Sequence, residues 1–259
     1  MNRDEIIRLI DTSDFHPTIY LESDIDSTNS YAKRLLRNGL TSEAIIIAER
    51  QNQGKGRANR IWYSPLGGLY MTLVLRRECQ PHRCSLFSFV LALSISQVLE
   101  KQASLQIDLK WPNDILVSGK KIGGILSELE VNESEAPVIL LGVGINLNVK
   151  VSDFPSELFK SATSVLSETG NSIHIESVIA QIVNSMDSYL IQDPTLSSIV
   201  PQYRPRCITI GKHVSVQSIS ESFVGQAMDI TIDGSLLVRH ESGMEKVISA
   251  GEVIHLEGG

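Results

Sequence analysis

Cysteine is scarce in this chain, which has only three in 259 residues. Cys79, Cys84 and Cys207 show no Cys-x-x-Cys spacing, so the sequence indicates neither a disulfide framework nor a zinc site. We therefore expect three reduced thiols. The six histidines are scattered along the chain, and we assign none of them a functional role.

Long apolar runs are also lacking. No segment approaches the roughly 18 apolar residues that span a membrane, and Met1 to Glu5 form a polar mixture unlike a signal peptide. We therefore expect a cytoplasmic protein without membrane contact. The formal net charge of -7 argues against a general nucleic-acid binder, because such a protein needs a basic face to neutralise phosphates.

Acidic residues are absent between Arg50 and Arg77, although the chain as a whole is acidic. Residues 51–62 form a predicted loop here, the cationic loop. It contains two glycines and three cations, namely Gly54, Gly56, Lys55, Arg57 and Arg60. We expect the cations to lack local partners and to bind phosphate or carboxylate groups on a ligand, which the glycines let approach closely. A solvated surface turn is the alternative, and the P-loop pattern Gly-x-x-x-x-Gly-Lys-Ser/Thr is not present.

A second polar segment, Lys110-Trp111-Pro112-Asn113-Asp114, follows a predicted strand. Each residue has an ordinary alternative, since Trp111 could be core, Lys110 a surface cation and Asn113 with Asp114 a turn. Both polar segments nevertheless fall at strand ends, where convergent sites are commonly built. Together they indicate an enzyme that activates a carboxylic acid with a nucleotide.

Hydrophobic periodicity predicts a mixed α+β sheet with flanking helices. The predicted strands begin near Ile19, Ala44, Leu69, Ile107, Ile115, Ile122 and Val138. The predicted helices begin near Glu5, Thr28, Leu86, Glu176 and Leu196, and residues 26–29 offer N-cap side chains for the second of them.

The pattern changes near Arg204, after which short strands are predicted at His213, Phe223, Ser235 and Val247. This spacing predicts a small β-barrel of about fifty residues. We therefore expect a catalytic domain at residues 1–204 and a barrel domain at residues 205–259. Glycine within the last strand of the large sheet, at Gly142 and Gly144, indicates close approach of a ligand or another backbone.

Five motifs follow one another along the chain. They are Ser27-Thr28-Asn29, Gly54-Lys55-Gly56-Arg57-Ala58-Asn59-Arg60-Ile61-Trp62, Lys110-Trp111-Pro112-Asn113-Asp114, Lys121-Ile122-Gly123-Gly124-Ile125-Leu126 and Gly142-Val143-Gly144-Ile145-Asn146-Leu147. In this order they resemble biotin protein ligases over essentially the whole chain. The resemblance implies a class II synthetase-like domain followed by an SH3-like barrel. It also implies a two-step reaction, in which biotin and MgATP give biotinoyl-5'-AMP and pyrophosphate, and the acyl group then passes to a lysine of a biotin carrier domain, such as that of acetyl-CoA carboxylase.

The resemblance assigns roles to particular residues. It implies that biotin is bound by Ser27, Thr28, Asn29, Gln51, Gly54, Lys55, Gly56, Arg57, Lys110, Gly123, Gly124 and Gly142. It implies that ATP is bound by Arg57, Arg60, Trp62, Asn113, Lys121 and Asn146. Lys110 and Arg57 are the expected catalytic cations, because positive charge between the carboxylate and the α-phosphate screens their repulsion. Mg²⁺ would arrive with ATP, without a dedicated metal site.

Two departures from the family pattern affect these expectations. The family loop often reads Gly-Arg-Gly-Arg, whereas Lys55 stands at the first cation here, and lysine cannot form a planar bidentate clamp on an adenylate. Many members also begin with a helix-turn-helix domain, but only about fifteen residues precede the first predicted strand, so we expect neither repressor function nor DNA binding. We expect the cationic loop to be mobile without ligand and ordered with it.

Other functions remain open from the sequence. Lipoate or octanoate ligases and transferases are similar in fold and chemistry, but usually show an Arg-Arg pair and a Gly-Gly-Gly loop that this chain lacks. A non-catalytic biotin-binding protein would keep the pocket but would not need the cationic loop. Exposed sheet edges would allow a homodimer, which the sequence does not decide.

Overall fold

A seven-stranded mixed sheet forms the larger part of the fold. The computed structural model describes residues 1–77, 83–131, 137–218 and 221–256. The strands are β1 (Thr18–Ile25), β2 (Ala44–Gln51), β3 (Leu69–Leu75), β4 (Asp108–Lys110), β5 (Asp114–Val117), β6 (Lys120–Glu130) and β7 (Val138–Ile145). Their order is β1-β2-β3-β7-β6-β5-β4, with β1 and β2 parallel and all other neighbours antiparallel. The predicted mixed sheet is therefore confirmed.

Helices cover this sheet on both faces. They are α1 (Arg3–Leu9), α2 (Thr28–Arg37), α3 (Ser85–Ala103), α4 (Val165–Thr169), α5 (Ile175–Gln192) and α6 (Ile199–Tyr203). The residues predicted as the core of α3, such as Phe89 and Leu93, are buried among the side chains of the main apolar core. No helix in the described ranges is both long enough and apolar enough to cross a membrane.

Strand β7 shows how the sheet creates room for a ligand. Successive side chains of a strand point to opposite faces, and Ile139 and Leu141 enter the main core while Val138 and Leu140 pack under α2. Gly142 and Gly144 continue the row that faces α2. Because these two positions have no side chain, Asn29 and the indole of Trp62 can pack directly on the strand, and the strand can line a cavity there.

A small antiparallel sheet follows the large one. It contains β8 (His213–Gln217), β9 (Ser222–Ile230), β10 (Leu236–His240), β11 (Glu245–Ile248) and β12 (Glu252–His255), in the order β11-β10-β9-β8-β12. The predicted small β structure is confirmed, but β12 was missed because only Val253 of its four residues is buried. The main core continues into this sheet through Val214 and Leu236. The domain boundary at residues 204 and 205 stays a prediction.

One local expectation is wrong, and another is confirmed only in part. Cys84 is disulfide-bonded, so it is not the reduced thiol that its spacing indicated, whereas Cys207 is a free, buried thiol. Cys79 lies outside the described residues. Ser27 is the N-cap residue of α2, but its side chain makes no capping hydrogen bond. The backbone N–H of Thr28 instead donates to Gln51 Oε1 at 2.8 Å, from the end of β2.

Candidate active site

A cavity of about 970 Å³ lies against the large sheet. Its walls come from the start of α2, the cationic loop, the β4–β5 turn, β6, β7 and the small sheet. The predicted site residues that line it are Ser27, Thr28, Asn29, Gln51, Lys55, Gly56, Arg57, Arg60, Trp62, Lys110, Asn113, Lys121, Gly124, Gly142 and Asn146. We call it the central cavity.

One side of the central cavity is lined by a neutral hydrogen-bonded network. Gln51 Oε1 accepts from Thr28 N at 2.8 Å, and Gln51 Nε2 donates to Ser64 Oγ at 2.9 Å. The amide of Gln51 keeps one N–H free for another acceptor, since a primary amide has two. The buried Ser27 hydroxyl also has no hydrogen-bond partner among the described residues. This side can therefore bind a neutral polar group.

The cationic loop is a short hairpin that reaches towards the small sheet. Gly56 N donates to Arg60 O at 2.7 Å, and Trp62 N donates to Gly54 O at 2.9 Å. Arg57 is half-buried and donates to Asn113 Oδ1 at 3.2 Å and to the carbonyl of Gly251 at 2.9 Å. Both acceptors are neutral, so they fix the guanidinium without neutralising its charge.

Lys110 provides a second uncompensated cation. It ends β4, is half-buried, and has no ion-pair partner in the ranges that the structure describes. Burial lowers the pKa of Lys110, while the nearby carboxylate of Asp114 opposes this shift. Asp114 itself is paired with Lys121, with the two charged atoms 2.5 Å apart. Lys110 thus faces the cavity with its charge available to an anion.

Two buried polar atoms without a partner in the described ranges, on Trp62 and Asn146, lie in the lining residues of the same cavity. The indole of Trp62 packs over Gly144, where a Cβ would overlap it, and Lys121 Nζ is 5.4 Å from the centre of the Trp62 ring. Trp62 Nε1 and Asn146 Oδ1 are buried without a partner in the described structure. Buried polar atoms are usually paired, so one free donor and one free acceptor suggest a ligand with complementary groups.

Comparisons with known proteins agree with this geometry. Residues 21–146 match the model of the Biotin/lipoate A/B protein ligase family, and residues 209–256 match that of the Biotin protein ligase C terminal domain. A biotin–(acetyl-CoA-carboxylase) ligase from Paracoccus denitrificans is 31% identical over 235 residues, covering 88% of this chain and 96% of the relative. The chain belongs to the biotin protein ligase family. The bifunctional ligase/repressor BirA of Bacillus subtilis is 32% identical over 231 residues, covering 87% of this chain and 70% of the relative.

A solved structure of a biotin protein ligase has the same fold as this chain. The biotin protein ligase from Aquifex aeolicus in complex with biotin and ATP superposes with a TM-score of 0.78 at 25% identity, covering 92% of this chain and 98% of that chain. The fold predicted from the family motifs, including the small C-terminal β structure, is therefore confirmed.

Two predicted site residues of this biotin protein ligase family member lie elsewhere. Gly54 lines a separate, smaller cavity, and a Cβ there would overlap the carbonyl of Trp62, so this glycine allows the hairpin to close. Gly123 is buried, and a Cβ on it would meet Ile115 and Ile145 on the core side of the sheet. Neither glycine faces the central cavity. The motif could not show this, because a motif does not say which face of a strand or which side of a turn a residue occupies.

The cations of the loop lack local partners among the described residues, but the expectation that they are free to bind a ligand is wrong for Arg60. Its guanidinium forms an ion pair with Glu252 at the start of β12, a carboxylate that is distant in sequence. The sequence also missed the whole wall contributed by the small sheet, which includes Gln217, Ser218 and residues 250–254. Gly251, with a φ of 151° beside an acidic residue, is the one local sign of a special backbone there.

Proposed function

We propose that this chain attaches biotin to a lysine of a biotin carrier domain in two steps. The observation that carries this proposal is a single cavity with a neutral hydrogen-bonding side at Thr28 and Gln51 and uncompensated cations at Arg57 and Lys110. Biotin has a neutral ureido ring and a carboxylate, and these two groups match the two sides. The names of the relatives, which are biotin protein ligases and carboxylase ligases, support the same substrate and acceptor.

In the first step, a carboxylate oxygen of biotin attacks the α-phosphorus of ATP. The P–O bond to the β-phosphate breaks, and biotinoyl-5'-AMP and pyrophosphate form. The nucleophile and the electrophile are both negatively charged, so a cation between them lowers the barrier. Lys110 fits this role because its charge is half-buried and not paired within the described residues.

Arg57 supports the same step from the other wall of the cavity. Two of its five N–H donors are used by neutral acceptors, Asn113 Oδ1 and Gly251 O, and three remain for phosphate or carboxylate oxygens. Its orientation is thus fixed before the ligand binds. Preorganised donors of this kind stabilise charge that develops in the transition state without a cost of rearrangement.

The nucleotide base fits beside Trp62 and Asn146. An adenine ring offers a flat face to the indole and an amino group to Asn146 Oδ1. Mg²⁺ enters with the phosphates of ATP. Asn113 and Asp114 have oxygen atoms of the kind that Mg²⁺ prefers, but Asn113 Oδ1 accepts from Arg57 and Asp114 is paired with Lys121, so these two residues do not form a dedicated Mg²⁺ site.

In the second step, the ε-amine of a carrier lysine attacks the acyl carbon, and AMP leaves. The amine belongs to the partner, so the enzyme needs no nucleophile of its own. The cationic loop would cover the mixed anhydride and limit its hydrolysis. Mobility of this loop without ligand, a homodimer through the sheet edges, an absence of DNA binding and a cytoplasmic location all stay predictions from the sequence.

The proposal is tested by mass spectrometry with purified protein, MgATP, an unbiotinylated carrier domain, and biotin, lipoate and octanoate as competing acids. We expect a mass gain on one carrier lysine with biotin only. Lys110→Ala should lower the rate by about 10²- to 10³-fold, as loss of one charge-stabilising group does. Lys120→Ala is the matched control, because Lys120 is exposed at the β5–β6 turn and does not line the central cavity.

Each alternative function has its own outcome in this assay. Transfer of lipoate or octanoate without transfer of biotin would move the chain to another branch of its family. Binding of biotin without transfer of any acid would support a non-catalytic binding protein. Equal rates for the Lys110 and Lys120 variants would remove Lys110 from the mechanism.

A further inference from the structure

Glu128 is half-buried on β6 and lies behind the wall of the central cavity. It faces α2, because it pairs with Leu140 of β7, a residue that packs on the same face. Its Oε2 accepts from Asn29 Nδ2 at 2.7 Å, and its Oε1 accepts from Lys33 Nζ at 2.8 Å. Asn29 lines the cavity, but Glu128 does not. Glu128 therefore contacts the cavity wall through Asn29, and its charge also acts on Lys55 of the cationic loop.

The carboxylate of Glu128 determines which way the Asn29 amide points. An ionised carboxylate only accepts hydrogen bonds, so the amino group of Asn29 must face it. The carbonyl oxygen of Asn29 then faces Thr72 Oγ1, 2.5 Å away. Thr72 is fully buried, and its single hydroxyl proton must be donated to this carbonyl.

The direction of these bonds continues to the cavity wall. Thr72 has used its proton, so towards Thr28 Oγ1, 2.8 Å away, it can only accept. The Thr28 hydroxyl has two acceptors inside the protein, Thr72 Oγ1 and, at 3.2 Å, Gln51 Oε1. Its proton is taken by one of them. Towards the ligand, the Thr28 oxygen therefore presents a lone pair.

The groups around Glu128 keep its carboxylate ionised, which this arrangement requires. Burial raises the pKa of Glu128, but the hydrogen bonds from Asn29 and Lys33 outweigh burial and leave the pKa below its ordinary value. Lys33 lies one helical turn after Asn29 on α2 and also contacts Glu130, with the charged atoms 2.9 Å apart. Gly142 makes the packing possible, because a Cβ there would overlap Asn29 Oδ1.

We propose that Glu128 is a positioning residue that orients Asn29, Thr72 and Thr28 so that the cavity presents a hydrogen-bond acceptor to a ureido N–H of biotin. This inference rests on the proposed function, because it takes biotin as the ligand. A carboxylate is required at residue 128 for a specific reason, since an amide there could equally donate to Asn29 and reverse the chain of hydrogen bonds. Thr72 would then donate to Thr28, so one lone pair of the Thr28 oxygen would be used, and the Thr28 proton would be left with the longer contact to Gln51 Oε1 or with the ligand. Binding of biotin is then weakened, while the fold and the nucleotide side are unchanged.

The test compares Glu128→Gln with Glu130→Gln. Both remove a carboxylate that contacts Lys33, but only Glu128 contacts Asn29. We expect Glu128→Gln to raise the KM for biotin, and the Kd for biotin measured calorimetrically without ATP, by about tenfold or more, since a mispaired buried polar group disfavours the ligand. The KM for ATP should change less than about twofold, and Glu130→Gln should match the wild type in every value.

A second pair of variants decides the question if Glu128→Gln does not fold. Thr72→Val keeps the shape but removes the hydroxyl that links Asn29 to Thr28, so it should weaken biotin binding to a similar degree, and Thr72→Ser should restore it. Wild-type affinity in Glu128→Gln, or equal losses for biotin and ATP, would overturn the inference. A wild-type protein that neither binds nor transfers biotin would overturn the proposed function itself, which is a distinct result.

Discussion

Thr209→Val tests whether the segment that leads into the small sheet holds the strand end that bears Lys110. Thr209 is fully buried, and its Oγ1 accepts from the backbone N–H of Trp111, 3.0 Å away. The same hydroxyl lies 3.1 Å from His255 Nε2 on β12. Because the oxygen accepts from Trp111, its proton is available to His255. Ile208 N donates to Leu109 O at 2.9 Å and fixes the strand on the other side of Lys110.

Valine has nearly the shape of threonine but no hydroxyl, so the substitution leaves the Trp111 N–H buried without an acceptor. A buried donor in this state costs about 1–3 kcal/mol. His255 is partly exposed, so water replaces much of what it loses. We therefore expect the free energy of unfolding to fall by about 1–3 kcal/mol in urea titrations.

The functional effect of Thr209→Val should be selective. A shift of about 1 Å in a catalytic group costs up to about 10²-fold in rate, so pyrophosphate release in a single turnover should slow by about ten- to a hundredfold. The Kd for biotin should be unchanged, because the neutral side of the cavity does not depend on Thr209. Thr209→Ser keeps the hydroxyl and should restore the rate. A valine variant as fast as the wild type, or a serine variant as slow as valine, would refute the coupling.

Three further substitutions test separate parts of the site. Gly144→Ala should raise the KM for ATP by about tenfold with biotin affinity kept, because the added methyl displaces Trp62; an unchanged KM in steady-state kinetics would contradict this. Burial is the main cause that lowers the pKa of His255 from 6.5 to about 4, so the unfolded chain takes up its proton first and stability is lost as pH falls through this window. His255→Gln should reduce the loss of unfolding free energy between about pH 7 and about pH 5 in urea titrations, and an equal loss in both proteins would refute this. Glu252→Gln breaks a partly exposed ion pair with Arg60, so the free energy of unfolding should change by less than about 1 kcal/mol. The KM for ATP should fall about twofold, because Arg60 is then available to the nucleotide; a raised KM would show that the pair assists binding.

Local patterns were sufficient to predict most of the fold. The branched run of β2 and the apolar periodicity of α3 gave elements that the structure confirms, because burial alone determines both. β12 escaped prediction since its position depends on pairing with β8 across the small sheet, and only Val253 in it is buried. Strands that exist through a distant partner have little local signal.

The site shows the same division between local and distant information. The motif around Lys110 was found because its chemistry is concentrated in five adjacent residues. The ion pair of Arg60 with Glu252 and the contact of Arg57 with Gly251 join segments that are far apart in the sequence. The absence of acidic residues near Arg60 in the sequence therefore suggested that its charge was available to a ligand, although it is paired. Gly54 was assigned to the ligand because motif membership does not say which side of a hairpin a residue faces.

The two sides of the central cavity differ in how their polar groups are paired. On the neutral side, a chain of hydrogen bonds that begins at Glu128 fixes the directions of the Asn29 and Thr72 hydrogen bonds before a ligand arrives. On the cationic side, Arg57 and Lys110 are fixed in place by neutral contacts or burial and their charge is left uncompensated. A satisfied network binds a neutral group selectively, whereas an unsatisfied charge gains most when negative charge accumulates, as it does when a carboxylate meets a phosphate. The arrangement therefore separates recognition of the acid from catalysis of its activation, and explains why substitutions on one side should leave the other intact.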